Sequence, residues 1–207
     1  MEHYLKTRLL TILAIAAILT FSIQSFSDNK ADVDLWGNVG FVKALPWSAE
    51  FHRENTFSFT DPHHTWINHE WLSEYVFHKI HAHLGNKGLL GLKVGLGLAI
   101  LALLNMGIKK QCQSGAVRFL LLMLVISTAG YGFSIRPHLF TYLMIAVFLL
   151  ILRYYGKNNL RTFMLLPLLG LAWTNLHGAF FIGIVIMIIF TCSELVKLFT
   201  HGILRQE

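Results

Sequence analysis

Apolar residues fall in long runs along this chain. Six of the runs are candidates for helices that cross a bilayer: 7–25, 88–108, 117–135, 138–155, 163–175 and 179–199. A crossing helix needs about 20 predominantly apolar residues, or fewer where flanking polar groups snorkel or the bilayer thins. The run 88–108 carries Lys93 near one end, and the run 163–175 is short and contains Pro167. The pattern changes over 28–87, where charged residues interleave with short apolar stretches. Within this loop, 39–45 reads as a short helix. Residues 66–84 have a helical period, with Ile67, Trp71, Leu72, Tyr75, Val76 and Ile80 on one side and Glu70, Glu74, His78 and His81 on the other. Such a helix is expected to lie in the membrane interface, its tryptophans at headgroup level. The fold class predicted is an all-α polytopic membrane protein, a single membrane domain over 1–207. It has about six transmembrane helices and a large first extracytoplasmic loop containing short interfacial helices.

Charge gives the runs a direction. Lys6 and Arg8, then Lys109, Lys110 and Arg118, then Arg153, Lys157 and Arg161, then Lys197 and Arg205 occupy alternate connections, all on one side. The loop gathers Asp28, Asp32, Asp34, Glu50, Glu54, Asp61, Glu70 and Glu74. Cytoplasmic connections carry the positive excess, so both termini are expected in the cytoplasm and the loop outside, in the inner (cytoplasmic) membrane of a cell. The basic start, apolar run and Ser25-Phe26-Ser27 also match a signal peptide with a small-residue cleavage site, against which a retained anchor is preferred.

Composition narrows the partners. At 55% hydrophobic and 14% charged, the chain is poorer in charge than a soluble domain, and the lipid bilayer is its first partner. The net charge of +6 is scattered over short connections and forms no patch, which argues against nucleic acid. Cys112 and Cys192 both fall on the cytoplasmic side, so neither a disulfide framework nor a paired-cysteine zinc site is implied.

The loop holds most of the candidate chemistry. In Asp32-Val33-Asp34-Leu35-Trp36-Gly37, two carboxylates two residues apart can share a divalent cation, or one can act as general base while the other positions it. Helix capping is the alternative, and the spacing alone favours it. The Glu70, Glu74, His78 and His81 stripe has ligand spacing for a metal, but a solvated helix face accounts for it more simply. Residues Thr56-Phe57-Ser58-Phe59-Thr60-Asp61-Pro62 end in a turn-forming pair. In Arg136-Pro137-His138, the arginine either snorkels or binds phosphate bidentately. Trp173-Thr174-Asn175-Leu176-His177-Gly178 brings an amide and an imidazole to the same membrane face, facing a cavity or gluing helices together.

Taken in order, Asp32-Val33-Asp34-Leu35-Trp36, Phe57-Ser58-Phe59-Thr60, Trp66 with Asn68-His69-Glu70-Trp71-Leu72-Ser73-Glu74, Arg136-Pro137-His138-Leu139-Phe140-Thr141-Tyr142 and Trp173-Thr174-Asn175-Leu176-His177-Gly178 resemble bacterial membrane proteins related to the GT-C glycosyltransferases. The resemblance implies transfer of a sugar from a polyprenyl-phosphate donor to an acceptor on the outer face. Asp34, Asp32 and Glu70 inherit candidacy as catalytic acids, with Asp32 and Asp34 as ligands for a divalent cation, Mg or Mn. Arg136, His138, His177, Asn175, His69 and Trp36 fall on the substrate side, with Arg136 and His177 toward the phosphate.

The chain departs from the family pattern at Gly37 and Asn38, where an aromatic and a histidine are usual, and at Asn55, where an aspartate is usual. Family members also have more spans and often a distal domain, so this chain resembles their N-terminal portion and a protein partner supplying further spans is expected. A non-catalytic membrane subunit or lipid-binding partner built on the same fold is the second reading. A small transporter ranks third, because no inverted repeat is visible. The sequence carries no phosphate-cradling glycine loop and no nucleophile motif.

Overall fold

The computed structural model describes residues 1–28, 32–44, 59–60, 65, 67–154 and 160–204. Helices account for nearly all of them: α1 (Glu2–Phe26), α2 (Leu35–Ala44), α3 (Trp71–Lys109), α4 (Gly115–Ala129), α5 (His138–Tyr154), α6 (Leu160–Phe163), α7 (Leu165–Leu176) and α8 (Phe181–Leu204). Single 3-10 turns, Gly130–Gly132 and Gly178–Phe180, follow α4 and precede α8. There is no β-strand among the described residues.

Four segments are long and apolar enough to cross a membrane: Tyr4–Phe26, Trp71–Lys109, Gly115–Gly132 and Gly178–Thr200. Large apolar side chains on α1 and α8 face outward, among them Leu9, Leu13, Ile184 and Ile188. Such exposure suits helices surrounded by hydrocarbon, since each satisfies its own backbone hydrogen bonds. The two other predicted spans are shorter. α5 has 17 residues. α7 has 12, about 18 Å at a rise of about 1.5 Å per residue, well short of a hydrocarbon core. Pro167 lies in the first turn of α7, where its missing N–H would have found no intrahelical partner. The 163–175 run is thus held almost wholly by α7, and the four-residue α6 before it shares only Phe163 with the run.

α3 is one run with a break at Gly85, where φ is 60° and ψ −154°. A side chain is strongly disfavoured in that backbone region, so glycine marks the point where the chain changes direction. Before the break, Phe77 is fully buried and its ring lies 5.8 Å from that of Phe140. After it, Gly97 lets α1 approach, because a Cβ there would lie 2.5 Å from the Phe26 ring. The predicted helix over 66–84 thus begins at Trp71, and its first residue, Trp66, is outside the described residues.

Two apolar clusters hold the bundle. One joins Leu35 and Val39 of α2 to Phe77, Phe140, Phe148 and Trp173. The other joins Phe26, Ile126, Phe133 and Leu139. The C-terminal ends of α1 and α7 and the N-terminal ends of α3 and α5 meet at one end of the bundle. Phe26 packs on Phe133 at 4.4 Å there, and Trp71 Nε1 donates to Asn175 Oδ1 at 2.6 Å. Asp32, Asp34 and Glu70 lie at this end, beside Arg136 and His177.

Candidate functional site

The site begins with the turn that starts α2. Asp32 Oδ1 accepts the Asp34 backbone N–H at 3.0 Å, and the Asp32 and Asp34 carbonyls accept from Leu35 and Asn38. This local bonding is the turn chemistry that places aspartate before helices. This turn accounts for the Asp32 side chain and for the Asp34 backbone N–H, which precedes α2. It does not absorb the carboxylate of Asp34, which accepts from Arg136 Nη2 at 2.5 Å.

Arg136 stands in the connection between α4 and α5, and its guanidinium lies between both aspartates. Nε is 2.5 Å from Asp32 Oδ1 but off the line of its N–H, so this contact is an ion pair without an aligned hydrogen bond. Burial pushes the Asp32 carboxyl up, but the Asp34 N–H and the Arg136 guanidinium outweigh it and hold it below the ordinary 3.8. Two candidates for opposite roles, base and phosphate binder, are thus paired with each other. The Asp34 carboxylate remains 60% exposed, so the pair opens to solvent on one side.

Glu70 precedes the first turn of α3. Its backbone N–H donates to Asn68 Oδ1 at 3.0 Å, and its carboxylate lies 3.5 Å from His177 Nε2 and 3.8 Å from His69 Nε2. Burial raises the Glu70 carboxyl above its ordinary value, against the opposing pull of His69 and the Gly178 N–H. His69 sits on the backbone of Gly178, where a Cβ would be 2.9 Å from its Nε2. Asp34 and Arg136 both act on Glu70 electrostatically, which makes the two clusters one field.

His177 is oriented from behind. Trp173 Nε1 donates to Thr141 Oγ1 at 2.9 Å, and Thr141 Oγ1 lies 2.9 Å from His177 Nδ1. Burial, then the neighbouring His69, lowers the His177 pKa and favours the neutral ring. A neutral ring beside the Glu70 carboxylate directs its one N–H, on Nε2, toward that carboxylate. Nδ1 is then the acceptor, and the Thr141 hydroxyl donates to it while accepting from Trp173. This chain positions His177 as a group that can hand a proton to or from Glu70.

Other sequence candidates have different tasks. Asn175 receives Trp71 Nε1 on Oδ1 and donates from Nδ2 to the Leu171 carbonyl at 2.7 Å, which makes it a clamp between α7 and α3. His138 Nε2 is 3.1 Å from the Gly132 carbonyl, and its ring meets Tyr142 edge-on. Trp36 meets His81 edge-on at 5.4 Å, on the α2 side of α3.

The solvated stripe expected on 66–84 is corrected. Glu74 is only 8% exposed and accepts from Asn68 Nδ2 at 2.7 Å, while His78 Nδ1 is 3.2 Å from the Val39 carbonyl. Asn68 and α2 cover the stripe, and periodicity alone does not reveal what covers a face. Among the described residues, no three His, Cys, Asp or Glu side chains converge as a metal-ligand set. Both candidate ligands, Asp32 and Asp34, are engaged with Arg136, so the residues as they stand do not fit a divalent cation.

Thr141, Trp173, Ser73 and Asn68 were not singled out from the sequence as site residues. A hydroxyl within an apolar run, as at Thr141, is the signal that marks such a position. Ser73 Oγ shares one proton between the Leu176 carbonyl at 2.7 Å and the Glu70 carbonyl at 2.8 Å. Of the motif segments, Phe57, Ser58 and Trp66 lie outside the described residues. Comparison with protein-family models, curated proteins and solved structures gives no significant match.

Proposed function

We propose that this chain is a GT-C-like glycosyltransferase, or the N-terminal half of one, that moves a sugar from a polyprenyl-phosphate donor to an acceptor on the extracytoplasmic face of the inner membrane. The observation that carries this reading is convergence. Four segments that bear the resemblance, far apart in sequence, meet at one end of the bundle through Arg136 with Asp32 and Asp34, and His177 with Glu70. In this reading the donor phosphate takes the guanidinium of Arg136, which is suited to bidentate phosphate binding. Asp34, the more exposed of its two partners, is thereby released to accept the acceptor hydroxyl's proton as that oxygen attacks the anomeric carbon and the bond to phosphate breaks. Glu70 and His177 form a second proton-holding pair beside it. No step is routed through a metal.

One observation favours the second reading, a non-catalytic membrane subunit. The Arg136 ion pairs also tie the first loop to the α4–α5 connection, which serves assembly without chemistry. The test is transfer of labelled sugar from a polyprenyl-phosphate donor by membranes containing the full chain, beside the double variant Asp32→Asn, Asp34→Asn at equal abundance. Loss of transfer in the variant while it still assembles, by a factor of at least about 100 as expected for removal of a general base, supports the enzyme. Equal transfer in both supports the subunit, and none in either, with donor lipid and metals supplied, supports an N-terminal half or a subunit and excludes a complete enzyme.

A further inference from the structure

The opposite end of the bundle holds a second candidate site. A crevice of about 970 Å³ opens between α3, α4, α5 and α8, with a wall of leucine and isoleucine and with Gln111, Arg153, Ser193, Glu194 and Lys197 at its mouth. That volume is at the upper end of what small-molecule sites occupy. The mouth carries two cations against one carboxylate: Lys197 Nζ is 2.7 Å from Glu194 Oε1, while Arg153 is exposed. The crevice shares Leu104 and Ala146 with a second, apolar cavity of about 380 Å³ that reaches Tyr142 and Phe133. Along α5, Arg153 and Tyr142 are 11 residues apart. The apolar track is therefore about 16 Å deep, half of a hydrocarbon core of about 30 Å. One leaflet has that depth, whereas a helix from a partner would run the full thickness.

The geometry points to a binding site for an anionic glycerophospholipid. Its phosphate rests at Arg153 and Lys197, and an acyl chain lies along Leu104 and Ala146 toward Tyr142. Basic pockets between transmembrane helices on the side of the basic connections bind lipid headgroups in this way. The site is at the other end of the bundle from Glu70 and Arg136, so it stands or falls independently of sugar transfer.

The test is native mass spectrometry of the purified full chain, offered phosphatidylglycerol and phosphatidylcholine of equal chain length. Retention of phosphatidylglycerol is expected to exceed that of phosphatidylcholine, and Arg153→Gln is expected to weaken it about fivefold, with Arg153→Lys restoring it. Gly107→Leu fills the crevice where a Cβ meets nothing within 4 Å, so it should fold normally yet lose the lipid. Equal retention of the two lipids overturns the proposal. So does an unchanged phosphatidylglycerol preference in either Arg153→Gln or Gly107→Leu, with the thermal melt of each variant confirming that it is folded.

Discussion

Thr141→Val keeps the shape of the side chain and removes its hydroxyl. Trp173 is fully buried and Thr141 is 3% exposed, so the indole N–H then has no acceptor and little access to water. Leaving a buried donor unpaired costs about 1–3 kcal/mol. Within membrane proteins, coupling energies for interhelical hydrogen bonds average about 0.6 kcal/mol and reach about 1.7. The Trp173 to Thr141 bond joins α7 to α5 and is shielded on both sides, which puts its expected coupling near 1 kcal/mol and the cost of Thr141→Val at about 1–2 kcal/mol. Trp173→Phe removes the donor instead, together with part of the ring area packed on Phe148 at 5.3 Å. The double variant leaves no orphaned donor and should be less destabilised than the sum of the two. Denaturant titration in mixed micelles, followed by circular dichroism, gives the four free energies of the cycle. Costs that add to within about 0.3 kcal/mol would refute the bond and with it the orientation argued for His177.

Two further outcomes follow from the same cluster. The His177 pKa is lowered in the folded chain, so its contribution to stability is complete above the ordinary 6.5 and is lost as pH falls through the lower, folded value. Between about pH 7.5 and about pH 5.5, the wild type should therefore lose more stability than His177→Gln in thermal melts, and parallel curves would contradict this. Glu70 has the opposite sign, its raised carboxyl adding stability below 4.5 that disappears as pH rises through the folded value, so the comparison is repeated in a Glu70→Gln background to isolate the imidazole. Gly178→Ala should push the His69 ring outward, since the new Cβ would lie 2.9 Å from Nε2. Glu70 then loses the neighbour that lowers its pKa, so the infrared carboxyl band of Glu70 should titrate at higher pH than in wild type; an unmoved band would show that His69 does not act there.

The membrane-length helices were legible because each satisfies its own backbone and needs only apolar length, as in 7–25 and 179–199. The short run with Pro167 is legible as an anomaly, and α7, with 12 residues, is too short to cross a hydrocarbon core. The all-α class and the short helix near Val39 were likewise readable, although α2 starts at Leu35 because the Asp32 and Asp34 turn opens it earlier. What the sequence left hidden is pairing. Asp34 and Arg136 are 102 positions apart, and no periodicity links a loop carboxylate to a particular guanidinium. The polar residues on its face predict a solvated Glu74, yet Asn68 and α2 cover that face. Thr141 carries no role legible in the sequence because one hydroxyl barely alters the hydropathy of an apolar run, and its weight comes from Trp173 and His177 on other elements.

The long reach of these contacts sets an order of events during synthesis. Trp71 waits for Asn175 and Ser73 for the Leu176 carbonyl, separations of 104 and 103 residues, while Asp34 waits for Arg136. At about 5–20 residues per second, a ribosome takes roughly 5–20 seconds to cover such a gap. During that interval the start of α3 is held by none of these ties. The acidic end of the bundle is a late product of biogenesis, completed when α7 arrives, and any factor that guards nascent polar segments has its window there.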